Sequence, residues 1–155
     1  GCNEEAFGEL CVSGEHLPLA HGRAVFRSLL EKRGCSHEWR VDSSAVASYN
    51  IGDQPDPRTL ATLQKHELSS RHTARRITVD DFHQFQYILC FDEQNMRDLS
   101  RMKPAGCQAT VRLLGSYVEE GKVVQDPYYL EDEAFETTYQ LCRTMSTAFL
   151  DSVYQ

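Results

Sequence analysis

The sequence has no apolar run that approaches the roughly 20 residues of a membrane-spanning helix, and its charged first residues do not resemble a signal peptide. Basic residues are scarce, since 16 Lys and Arg stand against 23 Asp and Glu, for a formal net charge of −7. Such a chain offers no basic field to a phosphate backbone, so we expect no nucleic-acid partner and no acidic membrane surface. The one basic cluster, Arg71, Arg75 and Arg76, is predicted to form a solvated face.

Paired cysteines are missing as well. The six cysteines are widely separated and none of them forms a Cys-x-x-Cys pair. A chain of 155 residues is long enough to bury a core without disulfides. We therefore expect most of the cysteines to be reduced core residues of a cytoplasmic protein.

Strand-like and helix-like patterns alternate along the chain, with no repeat and no linker that would divide it. This alternation predicts a single α/β domain over residues 1–155, with a parallel sheet and helices on both of its faces. We expect Gly34 to end the first helix and Asp92 to cap a later one. Strand patterns cover 10–13, 38–46, 85–91 and 109–115, and helix patterns cover 23–33, 56–67, 93–102 and 135–154.

The stretch SGEHLPLAHG (13–22) is predicted to form a loop between the first strand and the first helix, where many α/β enzymes hold their chemistry. Cys11, Glu15, His16 and His21 lie within eleven residues of one another, so a metal or redox site is conceivable there. Their spacing matches no common zinc pattern, and Cys11 has no resolving partner. A packed cysteine and ordinary loop histidines are the alternative.

Five segments taken together resemble one family. They are AVFRSLL (24–30), WRVDSSAVASYNIGDQPDPR (39–58), RHTARRITVDDFHQFQYILCFDEQNMRDL (71–99), LLGSY (113–117) and VVQDPYYLEDEAFETTYQLC (123–142). In this order and spacing they are similar to the low-molecular-weight protein tyrosine phosphatases. The resemblance implies a doubly wound fold with a four-stranded parallel sheet, and hydrolysis of phosphotyrosine through a cysteinyl-phosphate intermediate without a metal or other cofactor. It also implies a phosphate-binding loop after the first strand: a cysteine, five residues, an arginine and a serine.

That loop signature is absent, and residues 1–22 diverge from the family pattern. Counted back from AVFR without a gap, Val12 stands at the position of the nucleophilic cysteine, Pro18 at the arginine and Leu19 at the serine. Glu15 replaces a neutral asparagine and would repel a phosphate ester, while Pro18 removes an N–H donor. We therefore predict a pseudophosphatase with a binding or regulatory role toward an unidentified protein partner.

Two alternatives stay open. A shift of one residue brings Cys11 to the nucleophile position, although Leu17 then stands at the arginine. An active phosphatase would need a rearranged loop around Cys11 and an arginine from elsewhere, such as Arg23. The other alternative is a metal or redox protein that uses Cys11, His16 and His21.

The resemblance also assigns roles outside the loop. Asp126 matches the general acid, although an acid without a nucleophile has no phenolate to protonate. The simpler interpretation is that Asp126 begins a turn and that Ser43, His72 and Asp92 cap or brace their own secondary-structure elements. The matched positions are Tyr49, Tyr128 and Tyr129 for the walls of the cleft, and Ser43, His72 and Asp92 for support of the loop.

Overall fold

The computed structural model of the chain describes residues 8–14, 16–45, 57–68, 75–124, 131 and 133–154, with the backbone alone for residues 14 and 16–20. Short 3₁₀ helices precede the second strand and follow the fourth. The strands are β1 (Gly8–Gly14), β2 (Trp39–Ala45), β3 (Tyr87–Cys90) and β4 (Thr110–Leu113), and the helices are α1 (His16–Lys32), α2 (Pro57–Lys65), α3 (Asp81–Gln84), α4 (Glu93–Met102) and α5 (Glu133–Val153).

The four strands form one sheet in the order β2-β1-β3-β4, and all three neighbouring pairs are parallel. The chain passes from β1 to β2 on one side and then returns to place β3 on the other side of β1. The strand order therefore reverses between β1 and β3, as in doubly wound folds, whose ligands bind beyond the carboxyl ends of the strands. The predicted four-stranded α/β fold is confirmed.

Alternate residues of β1 enter two separate cores, because successive side chains of a strand point to opposite faces of the sheet. Leu10 and Val12 pack in the larger core together with apolar residues of α1 and α5, such as Phe26 and Phe149. Cys11 packs on the opposite face with residues such as Leu99 of α4. The sheet thus separates Cys11 from helix α1.

The predicted loop over residues 13–22 is wrong. Strand β1 continues to Gly14 and helix α1 begins at His16, so a single residue joins them. Pro18 falls in the first helical turn, where its missing N–H would have no partner within the helix in any case. Gly22 lies inside the helix and lets it approach the sheet, since a Cβ there would lie 2.9 Å from the Phe91 ring. At the other end, the predicted stop is confirmed, because Gly34 follows the helix with a φ of +74°.

Other sequence predictions agree with the structure except at short elements. The apolar run at 85–91 contains β3, whose Ile88 and Leu89 are fully buried on opposite faces. Helix α3 was not predicted, because four residues are too few to show helical periodicity. Five cysteines are free thiols, as expected for reduced core residues, and Cys2 lies outside the described residues. None of the helices in the described ranges combines the length and the apolar composition of a membrane-spanning segment.

Candidate functional site

The carboxyl edge of the sheet is lined by small hydroxyl side chains. Ser13 of β1 stands between Ser44 of β2 and Cys90 of β3 in the strand register. Its Oγ lies 3.2 Å from Ser44 Oγ and 3.4 Å from the Ser44 carbonyl oxygen, and both serines are fully buried. The two hydroxyls are within hydrogen-bond distance of each other and are shielded from solvent. They provide hydrogen-bonding groups at this edge but no charge.

Neither candidate for the nucleophile position presents a reactive thiol at this edge. Val12 is fully buried in the larger core, beneath helix α1. Cys11 is fully buried in the interior of β1, three residues before the strand ends, and its Sγ lies 3.3 Å from Ser44 Oγ. Burial raises the pKa of Cys11 to about 12, and the hydrogen bond to Ser44 and the charge of Arg75 offset this only in part. At neutral pH the thiol is therefore protonated and inaccessible.

Arg23 does not lie at the start of helix α1. It follows His16 by seven positions, which places it about 10 Å along the helix axis from the amino terminus. Its Nε is buried and has no hydrogen-bond partner among the described residues. Burial lowers the pKa of Arg23, as does the charge of Arg27, while the charge of Asp42 raises it. Helix α1, which carries Arg23, packs on the face of the sheet opposite the Cys11 thiol.

Ser43, a predicted support of the loop, is fully buried in β2, and its Oγ has no hydrogen-bond partner in the described part of the chain. Its backbone N–H donates to Oδ1 of the preceding Asp42 at 2.8 Å. A buried hydroxyl without a partner is uncommon and carries a desolvation cost.

Arg75 belongs to an ion-pair network and not to a solvated basic face, so this part of the prediction for the basic cluster is wrong. Its guanidinium donates from Nε and Nη2 to Asp42 Oδ2 at 3.1 and 3.0 Å, and from Nη1 and Nη2 to both oxygens of Asp81. Burial lowers the pKa of Arg75, but the two carboxylates outweigh this and raise it. The network fastens the segment after residue 74 to the outer edge of β2, where Ala45 N also donates to the Arg75 carbonyl oxygen.

Asp92 is the N-cap of helix α4, as its position before the helix predicts. Its carboxylate accepts from Asn95 N at 2.7 Å, and the Asn95 side chain accepts in return from Asp92 N at 3.3 Å. This reciprocal pair satisfies two donors at the start of the helix. The capping interpretation accounts for Asp92 without a role in catalysis.

His21 lies far from the other members of the conceivable metal or redox site. Its ring contacts Tyr139 of α5 edge to face, with centroids 6.4 Å apart. Tyr139 belongs to the core on the α1 side of the sheet, whereas Cys11 faces the other core. The structure therefore does not bring Cys11 and His21 together, and the described residues contain no cluster of three or more His, Cys, Asp or Glu suited to a metal ion.

Several predicted site residues lie outside the described part of the chain. The general-acid position Asp126, the aromatic positions Tyr49, Tyr128 and Tyr129, the support residue His72 and the loop residue Glu15 are among them. For His16, Leu17, Pro18 and Leu19, the structure describes the helical backbone and not the side chains.

Comparison with known proteins gives the ancestry of this arrangement. The sequence model of a family described as "Low molecular weight phosphotyrosine protein phosphatase" matches residues 18–155. The protein of that name from Sus scrofa is 44% identical over 149 residues, which cover 94% of this chain and 90% of the relative. The Homo sapiens protein is 43% identical over 150 residues, which cover 95% and 91%. The crystal structure of Primo-1 has a TM-score of 0.88 at 33% identity and covers 96% of this chain and 99% of its own.

Proposed function

The chain belongs to the low molecular weight phosphotyrosine protein phosphatase family, and on that premise we propose that it is a pseudophosphatase. Such a member keeps the fold and acts by binding a protein partner, without hydrolysing phosphate esters through a cysteine. The observation that carries the proposal is the junction between β1 and α1. One residue separates the strand from the helix, so a ring of five residues between a cysteine and an arginine has no room there.

The state of Cys11 supports the same conclusion. Covalent phosphoryl transfer requires a thiolate that the substrate can reach, with a pKa lowered by surrounding N–H dipoles. Burial raises the pKa of Cys11 to about 12, so the thiolate fraction at pH 7.4 is on the order of 10⁻⁵. The thiol contacts Ser44 inside the sheet and has no exposed surface.

The alternative of an active enzyme that uses Cys11 has two obstacles. The sheet lies between the Cys11 thiol and helix α1, which carries Arg23. An arginine that grips a phosphate must present its donors beside the nucleophile. Bringing the two together would require β1 to shift its register by one residue, which would turn every core side chain of the strand to the wrong face.

The alternative of a metal or redox protein is weakened by the same geometry. Cys11 and His21 face different cores, and both are fully buried. A zinc site needs ligands within about 2 Å of one ion, and a redox thiol needs access to solvent and a partner. Neither condition is met by these two side chains.

An assay with p-nitrophenyl phosphate tests the proposal. We expect no turnover above the buffer control for the wild-type protein, and the same result for Cys11→Ser and for the matched control Cys142→Ser, which alters a buried cysteine of α5. The active relative from Sus scrofa serves as the positive control. Turnover that Cys11→Ser abolishes and Cys142→Ser preserves would overturn the proposal.

Thiol labelling provides a readout that does not depend on activity. With iodoacetamide at pH 7.5, the half-buried Cys107 is expected to react before the fully buried Cys11 in the native protein. Peptide mapping by mass spectrometry distinguishes the two sites. Preferential alkylation of Cys11 would indicate an activated thiol and would contradict the structural basis of the proposal.

A further inference from the structure

A polar cleft of about 580 Å³ lies at the amino ends of the strands, at the opposite edge of the sheet from Ser13 and Ser44. Its walls are the segments that enter three adjacent strands: Glu9 of β1, the residues before β3, and the residues before β4. Backbone hydrogen bonds hold these entries side by side, from Gln86 N to the Glu9 carbonyl oxygen and from Thr110 N to the Gln86 carbonyl oxygen, each at 2.9 Å. The cleft is therefore built on the rigid part of the fold.

An arginine of the chain itself lies beside this amino-end cleft and contacts two of its lining residues. Arg40 of β2 is the register partner of Glu9, and its Nη1 lies 3.9 Å from Glu9 Oε1. Its guanidinium carbon lies 4.9 Å above the centre of the Phe85 ring. A planar cation on an aromatic face and beside a carboxylate is a common mode of arginine recognition. Arg40 thus shows which chemical group this wall accommodates.

The Arg40 guanidinium is easy to displace. The Arg40 side chain is 53% exposed, whereas Phe85 beneath it is only 2% exposed. An exposed ion pair at 3.9 Å contributes little to stability. A competing guanidinium could take the same place on the ring and beside Glu9 while Arg40 moved into solvent.

The rest of the lining suits a peptide. Gln86 and Gln108 line the cleft and are exposed, and their side-chain amides make no hydrogen bond among the described residues. Each amide has donors and an acceptor, which match the C=O and N–H groups of a peptide backbone. Gln84, in contrast, donates to Asp80 and is held in place.

The charge of the site favours a cation over an anion. The lining residues include neither Lys nor Arg; the ionisable ones are Glu9, which contributes a carboxylate, and His83. The formal net charge of −7 for the whole chain would also attract a basic partner. The volume lies within the range of sites that bury a small ligand, and it is sufficient for one arginine side chain with the adjoining peptide groups.

We propose that the amino-end cleft binds an arginine side chain of a partner protein, with Arg40 acting as an internal competitor for the same position. The guanidinium of the partner stacks on Phe85 and pairs with Glu9, and the amides of Gln86 and Gln108 bind the neighbouring peptide groups. This site lies at the opposite end of the sheet from the carboxyl edge with Ser13 and Ser44, so its test is independent of the pseudophosphatase proposal.

Titration of the full chain with Nα-acetyl-arginine amide, followed by two-dimensional NMR, tests the inference. We expect weak binding with shifts at the backbone amides of Glu9, Phe85, Gln86 and Gln108. The citrulline analogue, which keeps the shape without the charge, is expected to bind much more weakly. Absence of shifts at these amides at millimolar probe, or equal binding of the citrulline analogue, would overturn the proposal.

Two variants separate this site from non-specific attraction to an acidic protein. Arg40→Ala removes the internal competitor and is expected to tighten binding about three- to fivefold. Glu9→Gln is expected to weaken binding, and Arg97→Ala removes a matched exposed cation of α4 and should have no effect. The proposal is contradicted if Arg40→Ala weakens binding of the arginine probe, or if Arg97→Ala tightens it as much as Arg40→Ala does. Thermal unfolding verifies that each variant is folded, and the citrulline comparison on the wild-type chain holds without any variant.

Discussion

Lowering the pH from 7.5 to 5.0 is predicted to destabilise the fold by about 2 kcal/mol through His21 alone. The ring is fully buried between α1 and α5, and neither of its nitrogens has a hydrogen-bond partner among the described residues. Burial lowers the pKa of His21 from 6.5 to about 4. The nearby charge of Glu136 raises this pKa and that of His66 lowers it, both by less than burial does.

The sign follows from proton binding. Between pH 6.5 and 4 the unfolded chain binds a proton at His21 and the folded chain does not, so protonation stabilises the unfolded state. The contribution of His21 is thus fully present above pH 6.5, and it is lost as the pH falls toward 4. The carboxyls of Asp81 and Glu136, whose pKa values are lowered, retain their contributions at pH 5.0, because their unfolded pKa values are 3.8 and 4.5.

Urea unfolding of the wild type and His21→Leu at pH 7.5 and 5.0 measures this effect. The variant removes both the titration and two unpaired nitrogens, so we expect it to be more stable than the wild type by about 1–3 kcal/mol at pH 7.5. At pH 5.0 the difference should widen by about 2 kcal/mol. The exposed His37, changed to Gln, is the matched control. An equal difference between wild type and His21→Leu at the two pH values would refute the reasoning.

Two further predictions concern hydrogen bonds that hold the ends of helices. Tyr154→Phe is expected to lower the free energy of unfolding by about 1–3 kcal/mol. The Tyr154 hydroxyl accepts a hydrogen bond from Trp39 Nε1 at 2.7 Å and donates one to the buried Glu38 at 3.1 Å, and the variant loses both. Urea unfolding measures the loss, and a change below about 0.3 kcal/mol would contradict the prediction. Asp92→Ala is expected to cost about 1 kcal/mol through the lost cap to Asn95 N, whereas Asp92→Asn should retain most of the stability in the same assay.

The sequence predicted the elements whose patterns are local. The run FQYILCF indicates a strand buried on both faces because nearly every residue is apolar, and Ile88 and Leu89 of β3 fill the two cores accordingly. Gly34 and Asp92 mark helix ends through their own backbone and side-chain chemistry. Such signals depend on a few neighbouring residues and can therefore be recognised in a single sequence.

Features that depend on distant residues were not predicted. The pairing of Arg75 with Asp42 joins positions 33 residues apart, so the local run of basic residues suggested a solvated face instead. The start of α1 was missed because Gly22 and Pro18 resemble loop residues, while the packing of Gly22 against Phe91 depends on a strand far along the chain. The alternation of side chains along β1 could have predicted the position of Cys11. Because successive side chains of a strand point to opposite faces, Cys11 must lie on the face of the sheet opposite Leu10 and Val12.

The buried polar atoms without a hydrogen-bond partner show where the described part of the fold bears a desolvation cost. Among the described residues, the buried polar atoms without a hydrogen-bond partner are both His21 nitrogens and Arg23 Nε on α1, Ser43 Oγ on β2, Thr59 Oγ1 on α2 and Ser146 Oγ on α5. Each such group costs about 1–3 kcal/mol. The apolar residues of the two cores offset this cost. The two cores therefore specify the fold despite these buried polar groups.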